Sequence, residues 1–470
     1  MRRFRPLILI FLIFSWATIS LGRATTFDEA RHLLSRTSFG VTWSQIKTLT
    51  QMKSDDAVRH VLNTNRSEPL SSPPKWVSDP LINRKKFKQL SESERKKLRK
   101  KRRMQALDLK AWWLKEMVTT VSPLTERMTL FWHNHFTSSL KKVKVPYLMF
   151  QQNLLLRRHA LGNFRQLVHA AAKDPAMIIY LDNVSNVKDK PNENFARELL
   201  ELFTLGEGHY SETDIKEAAR AFTGWAVDRD TGTFRFLPRR HDFGSITFMG
   251  ETGIFNGEDI IDIILKQPQV ATYITEKFWR EFISGTPDPK EVQRLATIFR
   301  DQNYEIKPLM HALLTSSYFS DSRNYGTMIK SPVELLVGTL RTFKVPISSS
   351  EGLAMASRRM GQDVLDPPNV KGWGGGTRWI TSETLLVRQN ILERLLRGKE
   401  MERMPKKVGS PKMSNQTMQM DVTATFGQGL DPKTIVKLLL PIPPVEPPNQ
   451  SASRTEVIHA SVLDPVFQLK

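Results

Sequence analysis

The chain has 470 residues, a formal net charge of +21 at pH 7 and no cysteine. Without cysteine, disulfide bonds, thiolate metal sites and a cysteine nucleophile are excluded. The length allows one large domain or two to three ordinary ones, and the positive charge raises the question of a polyanionic partner.

The first 24 residues have the features of a secretory signal peptide. MRRFR is a short basic stretch, and PLILIFLIFSWATISLG is an apolar one. Gly22 and Ala24 provide the small residues that precede a cut after Ala24. The alternative is an uncleaved anchor, but the strongly apolar core is short for a bilayer span of about 20 residues. We therefore expect an exported protein, periplasmic or extracellular after cleavage of residues 1–24.

Residues 25–397 are predicted to form one mostly α-helical domain. Capping sequences open several of its helices, namely Thr26–Glu29, Thr42–Gln45, Ser91–Glu94, Ser122-Pro123 and Ser211. Near 225–250 the pattern changes, because apolar residues alternate around an Asp-x-x-Gly turn. The fold class is therefore mostly α, a large multi-helix globular domain with a small β-hairpin insertion.

Residues 84–103 form a basic insertion, RKKFKQLSESERKKLRKKRR, with twelve Lys or Arg and two Glu, a net charge of +10. Such a segment suits a polyanion or an anionic membrane surface, and a solvated helix face is the alternative. Because Phe87 is the single aromatic residue among the charges and the protein is expected to be exported, nucleic acid is not the expected partner. The predicted surface patch consists of Lys96, Lys97, Lys100, Lys101, Arg102 and Arg103.

The C-terminal part differs in composition. Residues 398–454 are rich in Pro, Ser, Lys and Met and are predicted to be a linker. Residues 455–470 are predicted to form a final helix that docks back onto the domain.

Seven segments carry distinctive motifs. They are RHLLSRTSFG (31–40), ERMTLFWHNHF (126–136), LRRHALGNFRQL (156–167), PNENFARELLELFTLGEGHYSETDIKEAARAFTGW (191–225), HDFGSITFMG (241–250), KSPVELLVGTLR (330–341) and PPNVKGWGGGTRWI (367–380). Together they resemble the bacterial domain of unknown function 1800 family. The resemblance implies an exported, mostly helical protein with no assigned activity. It also implies an exported partner protein that resembles the alkaline phosphatase and sulfatase fold. The chain departs from the family pattern at Ile246, where a lysine is usual.

The segment ERMTLFWHNHF supplies the first candidate site. On a helix, Glu126 and His133 share a face, whereas His133 and His135 point about 200° apart. A chelate of the two histidines is therefore not expected, and both could instead be hydrogen-bonded core histidines. The sharper hypothesis places Glu126 and His133 at one polar cavity, with Arg127 and His135 as supporting residues.

The segment NENFARELLELF is the expected source of partners for that pair. Glu193 and Glu198 are catalytic candidates, supported by Asn192, Arg197 and Glu201. A carboxylate next to His133 could shuttle a proton or bind a metal. The alternative is a ladder of Glu–Arg ion pairs on a solvated face.

His241 and Asp242 form a loop dyad beside the predicted hairpin. Loops often carry function, so both residues are catalytic candidates. The alternative is an Asp turn that closes the loop.

Two functions are compatible with these patterns. The first is an extracytoplasmic assembly or binding component that acts with a partner protein. The second is a hydrolase with a Glu/His polar centre, acid–base or metal-assisted, for which a divalent metal would be the cofactor. Buried, fully bonded polar residues would favour the first function. Convergence at a pocket floor, with a strongly shifted carboxylate, would favour the second.

Overall fold

A computed structural model describes residues 23–64, 66–82, 84–228, 230–347, 350–397, 426, 430–449 and 451–470. The predicted signal peptide lies outside the described residues except for its last two positions. Most of the predicted linker, from 398 to 425, also lies outside them. Among the described residues, no helix combines the length and the apolar character needed to cross a bilayer.

The N-terminal region is a set of helices that capping sequences start. The side chains of Thr26, Thr42 and Ser91 each accept a hydrogen bond from the third helical N–H, and the residue at that third position bonds back. The helices are α1 (Phe27–Thr37), α2 (Trp43–Thr50), α3 (Ser54–Asn63), α4 (Arg84–Gln89) and α5 (Glu92–Thr119).

Helix α5 has two different halves. Its 28 residues extend over about 42 Å. The first half contains the C-terminal part of the basic insertion and is mostly exposed, whereas the second half buries Trp112, Trp113, Leu114 and Met117. Each of these large side chains contributes about 1.5–3 kcal/mol when it leaves water. The buried half therefore anchors the helix, and the basic half extends along the surface.

Five helices follow around the centre of the molecule. Ser122 precedes the first of them, and Pro123 occupies its first position, as the sequence predicts. They are α6 (Pro123–His135), α7 (Leu140–Val143), α8 (Pro146–Arg158), α9 (Phe164–Ala172) and α10 (Pro175–Tyr180). Helix α6 packs against α8 and α1.

A π-helix interrupts the next helical segment. Helix α11 (Asn194–Glu198) continues as the π-helix Leu199–Thr204 before α12 (Glu212–Ala221) begins. The Thr204 hydroxyl donates to the carbonyl of Leu199 at 2.6 Å, which reinforces the wider turn. Such segments are often found at functional sites.

The predicted β region contains two hairpins rather than one. Strand β1 (Trp225–Val227) pairs antiparallel with β2 (Phe234–Phe236), and β3 (Ile246–Phe248) pairs antiparallel with β4 (Glu251–Gly253). The second pair lies at the C-terminal edge of the predicted insertion and extends beyond it to Gly253. Ile246 and Phe248 are buried against α12, which explains why this stretch is ordered.

The remaining helices complete the fold. They are α13 (Gly257–Lys266), α14 (Pro268–Phe282), α15 (Pro289–Asp301), α16 (Ile306–Leu314), α17 (Ser317–Ser320), α18 (Pro332–Thr342), α19 (Ser350–Arg359), α20 (Ser382–Leu396), Pro432–Leu439 and Arg454–Leu463. The last two helices pack against each other, and helix Arg454–Leu463 also packs against α20. Leu469 then pairs with Ile329 in an antiparallel bridge. The fold is mostly α, as predicted.

Candidate functional site

Glu126 lies on α6 in a closed, fully bonded environment. Its carboxylate accepts hydrogen bonds from Arg157 Nε at 2.7 Å and from Trp113 Nε1 at 3.0 Å. A second guanidinium nitrogen of Arg157 also donates to it, at 2.9 Å, and a third donates to Asn153. Both charged side chains are almost fully buried. Glu126 is therefore half of a buried, two-point ion pair that ties α6 to α8.

His133 lies on the same helix, about two turns further along. Trp113 contacts both residues, because its Nε1 bonds to Glu126 and its ring meets the His133 ring edge-on at 5.5 Å. Glu126 and His133 share no hydrogen bond. Burial lowers the pKa of His133 to about 4, although the negative charge of Asp366 acts in the opposite direction. The ring is therefore neutral at pH 7, and its buried Nε2 has no hydrogen-bond partner.

The charges next to His133 form a buried cluster that the sequence-based prediction missed. Lys110 on α5 donates to Asp363 and, at 2.7 Å, to Asp366. Asp366 also accepts from the Ser139 hydroxyl at 2.6 Å and from the backbone N–H of Lys141 at 2.9 Å. The signal for Lys110 is a single cation within the apolar run ALDLKAWW. Its partners lie more than 250 positions away, so no local pattern could reveal them.

His135 is a core histidine. Its Nε2 donates to the carbonyl of Phe203 in the π-helix at 3.0 Å, and its ring packs among Phe131, Trp132 and Phe136. Burial lowers its pKa well below the usual value, which keeps the ring neutral. His133 and His135 thus project to different surroundings, as helical geometry requires.

The start of α11 carries an ion-pair ladder. Arg197 bonds to Glu193 at 3.2 Å and to Glu212 at 2.9 Å. The side chain of Asn192 accepts the N–H of Asn194 at 3.0 Å and thereby covers the end of the helix. Glu193 and Arg197 therefore match the alternative interpretation of this segment, a ladder of Glu–Arg ion pairs on a solvated face.

Glu198 and Glu201 follow Arg197 along the same helical segment. Burial and the adjacent Glu201 raise the pKa of Glu198, and Lys371 acts in the opposite direction. Burial also raises the pKa of Tyr180, and the charges of Glu198 and Asp366 add to this shift. Tyr180 therefore lies within electrostatic range of both carboxylates. Of the predicted set, His133 is the residue that has Asp366 and Lys110 as its charged neighbours.

His241 and Asp242 close a loop against α12. His241 Nδ1 donates to the carbonyl of Thr223 at 2.9 Å. Asp242 accepts from Arg220 Nε at 2.7 Å and from the N–H of Gly244 at 2.8 Å, as an Asp turn does. The structure does not bring this dyad together with Glu126 or His133. Ile246 is fully buried.

Asp174 is a strongly shifted carboxylate that the sequence-based prediction missed. It caps α10, where it accepts the N–H of Met177 at 2.8 Å and the amide of Gln152 at 2.7 Å. Burial raises its pKa to about 7. The Asp-Pro pair before an apolar segment is the signal of a helix cap, but burial of the cap cannot be deduced from it.

Arg127 points away from Glu126 into a second charged cluster. It bonds to Glu334 and, at 2.7 Å, to Glu281. These contacts join α6 to α14 and α18. Among the described residues, no group of three or more His, Asp or Glu side chains is placed to hold a metal ion.

The predicted basic patch lies on the first half of α5. Arg102 is partly buried, and the other five members are exposed. Lys97, Lys100 and Lys101 line an open groove of about 600 Å³, together with Trp76 and Met104.

The chain was compared with known proteins. A family described as "Protein of unknown function (DUF1800)" matches residues 32–469. No curated protein and no solved structure matches the chain.

Proposed function

Because the chain belongs to the DUF1800 family of unknown function, which carries no assigned activity, we propose a function from geometry. The protein is an assembly or binding component that acts outside the cytoplasm with a partner protein. One observation carries the proposal: Glu126, Arg197 and Asp242 are all satisfied by internal ion pairs, whereas the groove beside α5 presents cations to solvent.

The groove combines charge with apolar surface. Met104 is 60% exposed, and Trp76 is held in place by a hydrogen bond from its Nε1 to Asp108 at 2.7 Å. Lys101 bonds to Asp79 at 2.9 Å, which leaves the exposed Lys97 and Lys100 facing the groove. Asp108 and Glu351 also line it.

This chemistry suits an acidic protein segment that carries one or two apolar side chains. The helix supplies a row of Lys at three- and four-residue spacing, so an extended acidic segment can meet several cations at once. The indole and the thioether supply apolar contact that an inorganic polyanion would not use. The segment 84–103, with its net charge of +10, adds long-range attraction.

The location outside the cytoplasm rests on the predicted signal peptide. N-terminal sequencing of the protein recovered from the exported fraction is expected to start at Thr25. Recovery of a cytoplasmic protein that still begins at Met1 would contradict the proposed location.

A direct test uses a fluorescein-labelled 16-residue peptide in which Asp and Glu alternate with Leu and Phe. Anisotropy titration at about 0.15 M salt is expected to show saturable binding to the full protein. The groove variant Lys97→Glu/Lys100→Glu/Lys101→Glu is expected to weaken binding at least tenfold, because it replaces attraction by repulsion.

The matched control is Lys96→Glu/Arg99→Glu/Arg103→Glu, which makes the same change in net charge at residues of α5 that do not line the groove. We expect this variant to lose less than threefold. An equal loss of peptide affinity in both variants would contradict the groove as the binding site. Preferential binding to heparin or to vesicles containing phosphatidylglycerol would contradict an acidic protein segment as its ligand.

Hydrolysis is the second candidate, because His133 is neutral, has an unpartnered Nε2 and lies next to Asp366 and Lys110. Such a ring could act as a base toward a substrate proton. The test combines metal analysis of the purified protein with a His133→Ala variant, assayed on ester and phosphoester substrates. Absence of stoichiometric metal and of turnover, with only a loss of stability in the variant, would remove this candidate.

A further inference from the structure

Among the described residues, several positively charged side chains lie inside the fold between α1 and the C-terminal segment. The side chains Arg31, Arg36, Arg127, Arg388 and Lys470 are buried. The carboxylates of Glu334 and Glu281 contact this cluster, and Glu281 is partly exposed. Positive charge therefore exceeds negative charge in a region with little water. Burial lowers the pKa of Arg36 to about 9, which shows how unfavourable this environment is for a cation.

A cavity of about 40 Å³ lies inside this cluster, which is more than the roughly 10–15 Å³ that one water needs. Its charged and hydroxyl-bearing walls include Arg31, Ser38, Arg127, Lys330, Glu334 and Lys470. Lys330 is held at the wall, where it donates to the carbonyl of Phe467 at 2.7 Å.

Several donors in this region lack an acceptor. Ser38, which is 2% exposed and lines the cavity, has a hydroxyl without a partner. Arg127 also lines it, and its Nε is unpartnered. Arg36 Nε and two nitrogens of Arg388 are buried donors of the same charged cluster that also lack an acceptor, although these two residues do not line the cavity. Buried polar groups are normally bonded, so the free donors of Ser38 and Arg127 at the cavity wall indicate a missing acceptor.

We propose that this cavity is a binding site for a small inorganic oxyanion of the phosphate and sulfate class. The excess of positive charge would be balanced by a negatively charged ligand. The Ser38 hydroxyl and the guanidinium N–H groups are donors that need acceptor oxygens. A tetrahedral oxyanion meets both demands, since its oxygens accept from guanidinium groups in the fork geometry that arginine favours. Glu334 already neutralises part of the positive charge, and the cavity volume of about 40 Å³ favours a small anion over a larger one. The site is independent of the groove beside α5.

The test uses the full protein after extensive dialysis into buffer free of phosphate and sulfate. Ion chromatography of the supernatant after heat denaturation measures any anion that was retained, and calorimetric titration with inorganic phosphate and with sulfate measures new binding. We expect about one equivalent per chain, either retained or bound with saturation.

Two variants locate the site. Ser38→Ala removes one unpartnered donor and is expected to weaken oxyanion binding at least tenfold, because it deletes a hydrogen bond to a charged ligand. Lys96→Gln, on the exposed basic helix, is expected to change binding less than twofold. Circular dichroism establishes that both variants are folded, and the wild-type measurement stands alone if Ser38→Ala is not.

Three results would overturn the proposal. They are retention of chloride alone, absence of both retained and saturable oxyanion, and a loss of binding in Lys96→Gln that equals the loss in Ser38→Ala.

Discussion

Glu126 and Arg157 form an ion pair in which both side chains are almost entirely removed from water. Removing charges from water is unfavourable, and attraction between them offsets this only while both partners are present. The ladder of Glu193 and Arg197 is different, because each side chain is more than a third accessible to solvent. Two Glu–Arg pairs therefore contribute very differently to the free energy of unfolding, depending on their burial.

The first prediction compares these two pairs. Glu126→Gln is expected to lower the free energy of unfolding by about 3–5 kcal/mol, because it leaves the Arg157 charge buried without its counterion. Glu193→Gln, the matched control, is expected to change it by less than about 1 kcal/mol. Urea unfolding followed by tryptophan fluorescence measures both. Equal effects would show that the buried pair is not what holds α6 to α8.

The second prediction concerns Asp174, whose pKa in the folded protein is about 7. An unfolded aspartate has a pKa of about 3.9, so between these values the folded state binds more protons than the unfolded state. The free energy of unfolding should therefore fall as pH rises from about 4 to 7. Asp174→Asn cannot ionise and still caps the helix, so it should lack this contribution.

Urea unfolding of wild type and Asp174→Asn at several pH values between 4 and 8 tests the second prediction. The difference in stability between the two proteins should change by up to about 4 kcal/mol in favour of the variant as pH rises. The opposite pH dependence expected from the lowered pKa of His133 is present in both proteins and cancels. A difference independent of pH would contradict the prediction.

At the scale of elements, the two halves of α5 are held by different interactions. The second half packs its tryptophans into the core, whereas the first half is mostly solvent-exposed and depends on its cap. In that cap the Ser91 hydroxyl accepts the N–H of Glu94, and the Glu94 carboxylate accepts the N–H of Ser91. Local interactions alone therefore determine where this helix begins.

The third prediction is that Ser91→Ala frays the first half of α5 without unfolding the protein. Loss of such a cap costs about 1 kcal/mol of local stability, which is roughly a fivefold increase in opening. Hydrogen exchange of amides 95–99 should accelerate by that factor, while amides 109–117 of the same helix serve as an internal control. Acceleration over the whole helix would mean that its two halves unfold together.

Local interactions are also what the sequence predicts well. The caps at Thr26, Thr42 and Ser91 involve residues three apart, so a short pattern contains all of the relevant chemistry. The partners of Lys110 and Glu126 cannot be identified in this way, because Asp366 and Arg157 come from other helices or loops. The second hairpin is also unexpected, since the burial of Ile246 depends on α12.

At the scale of the whole molecule, distant parts of the chain are joined by buried polar contacts. Lys330 lies two residues before α18. Its N–H donates to the carbonyl of Gln468 at 2.8 Å, and its own carbonyl accepts from Arg388. Lys470 bonds to Glu334 inside the cation cluster. The last described residues are thus part of the interior.

The fourth prediction follows from this arrangement. A chain that lacks residues 465–470 should unfold at lower urea concentration, with a loss of about 3–5 kcal/mol, because Glu334 loses one of its buried partners. Lys470→Met, which keeps the backbone bridge, should lose less than the truncated chain. An unchanged midpoint in the truncated chain would show that the segment is only peripherally attached.

Arg31 on α1 donates to the carbonyl of Pro441 at 3.3 Å, across 410 positions of sequence. At a synthesis rate of about 5–20 residues per second, the acceptor is made roughly 20–80 seconds after the donor. During that interval Arg31 lacks this acceptor, so α1 cannot complete its native contacts until residue 441 has been made.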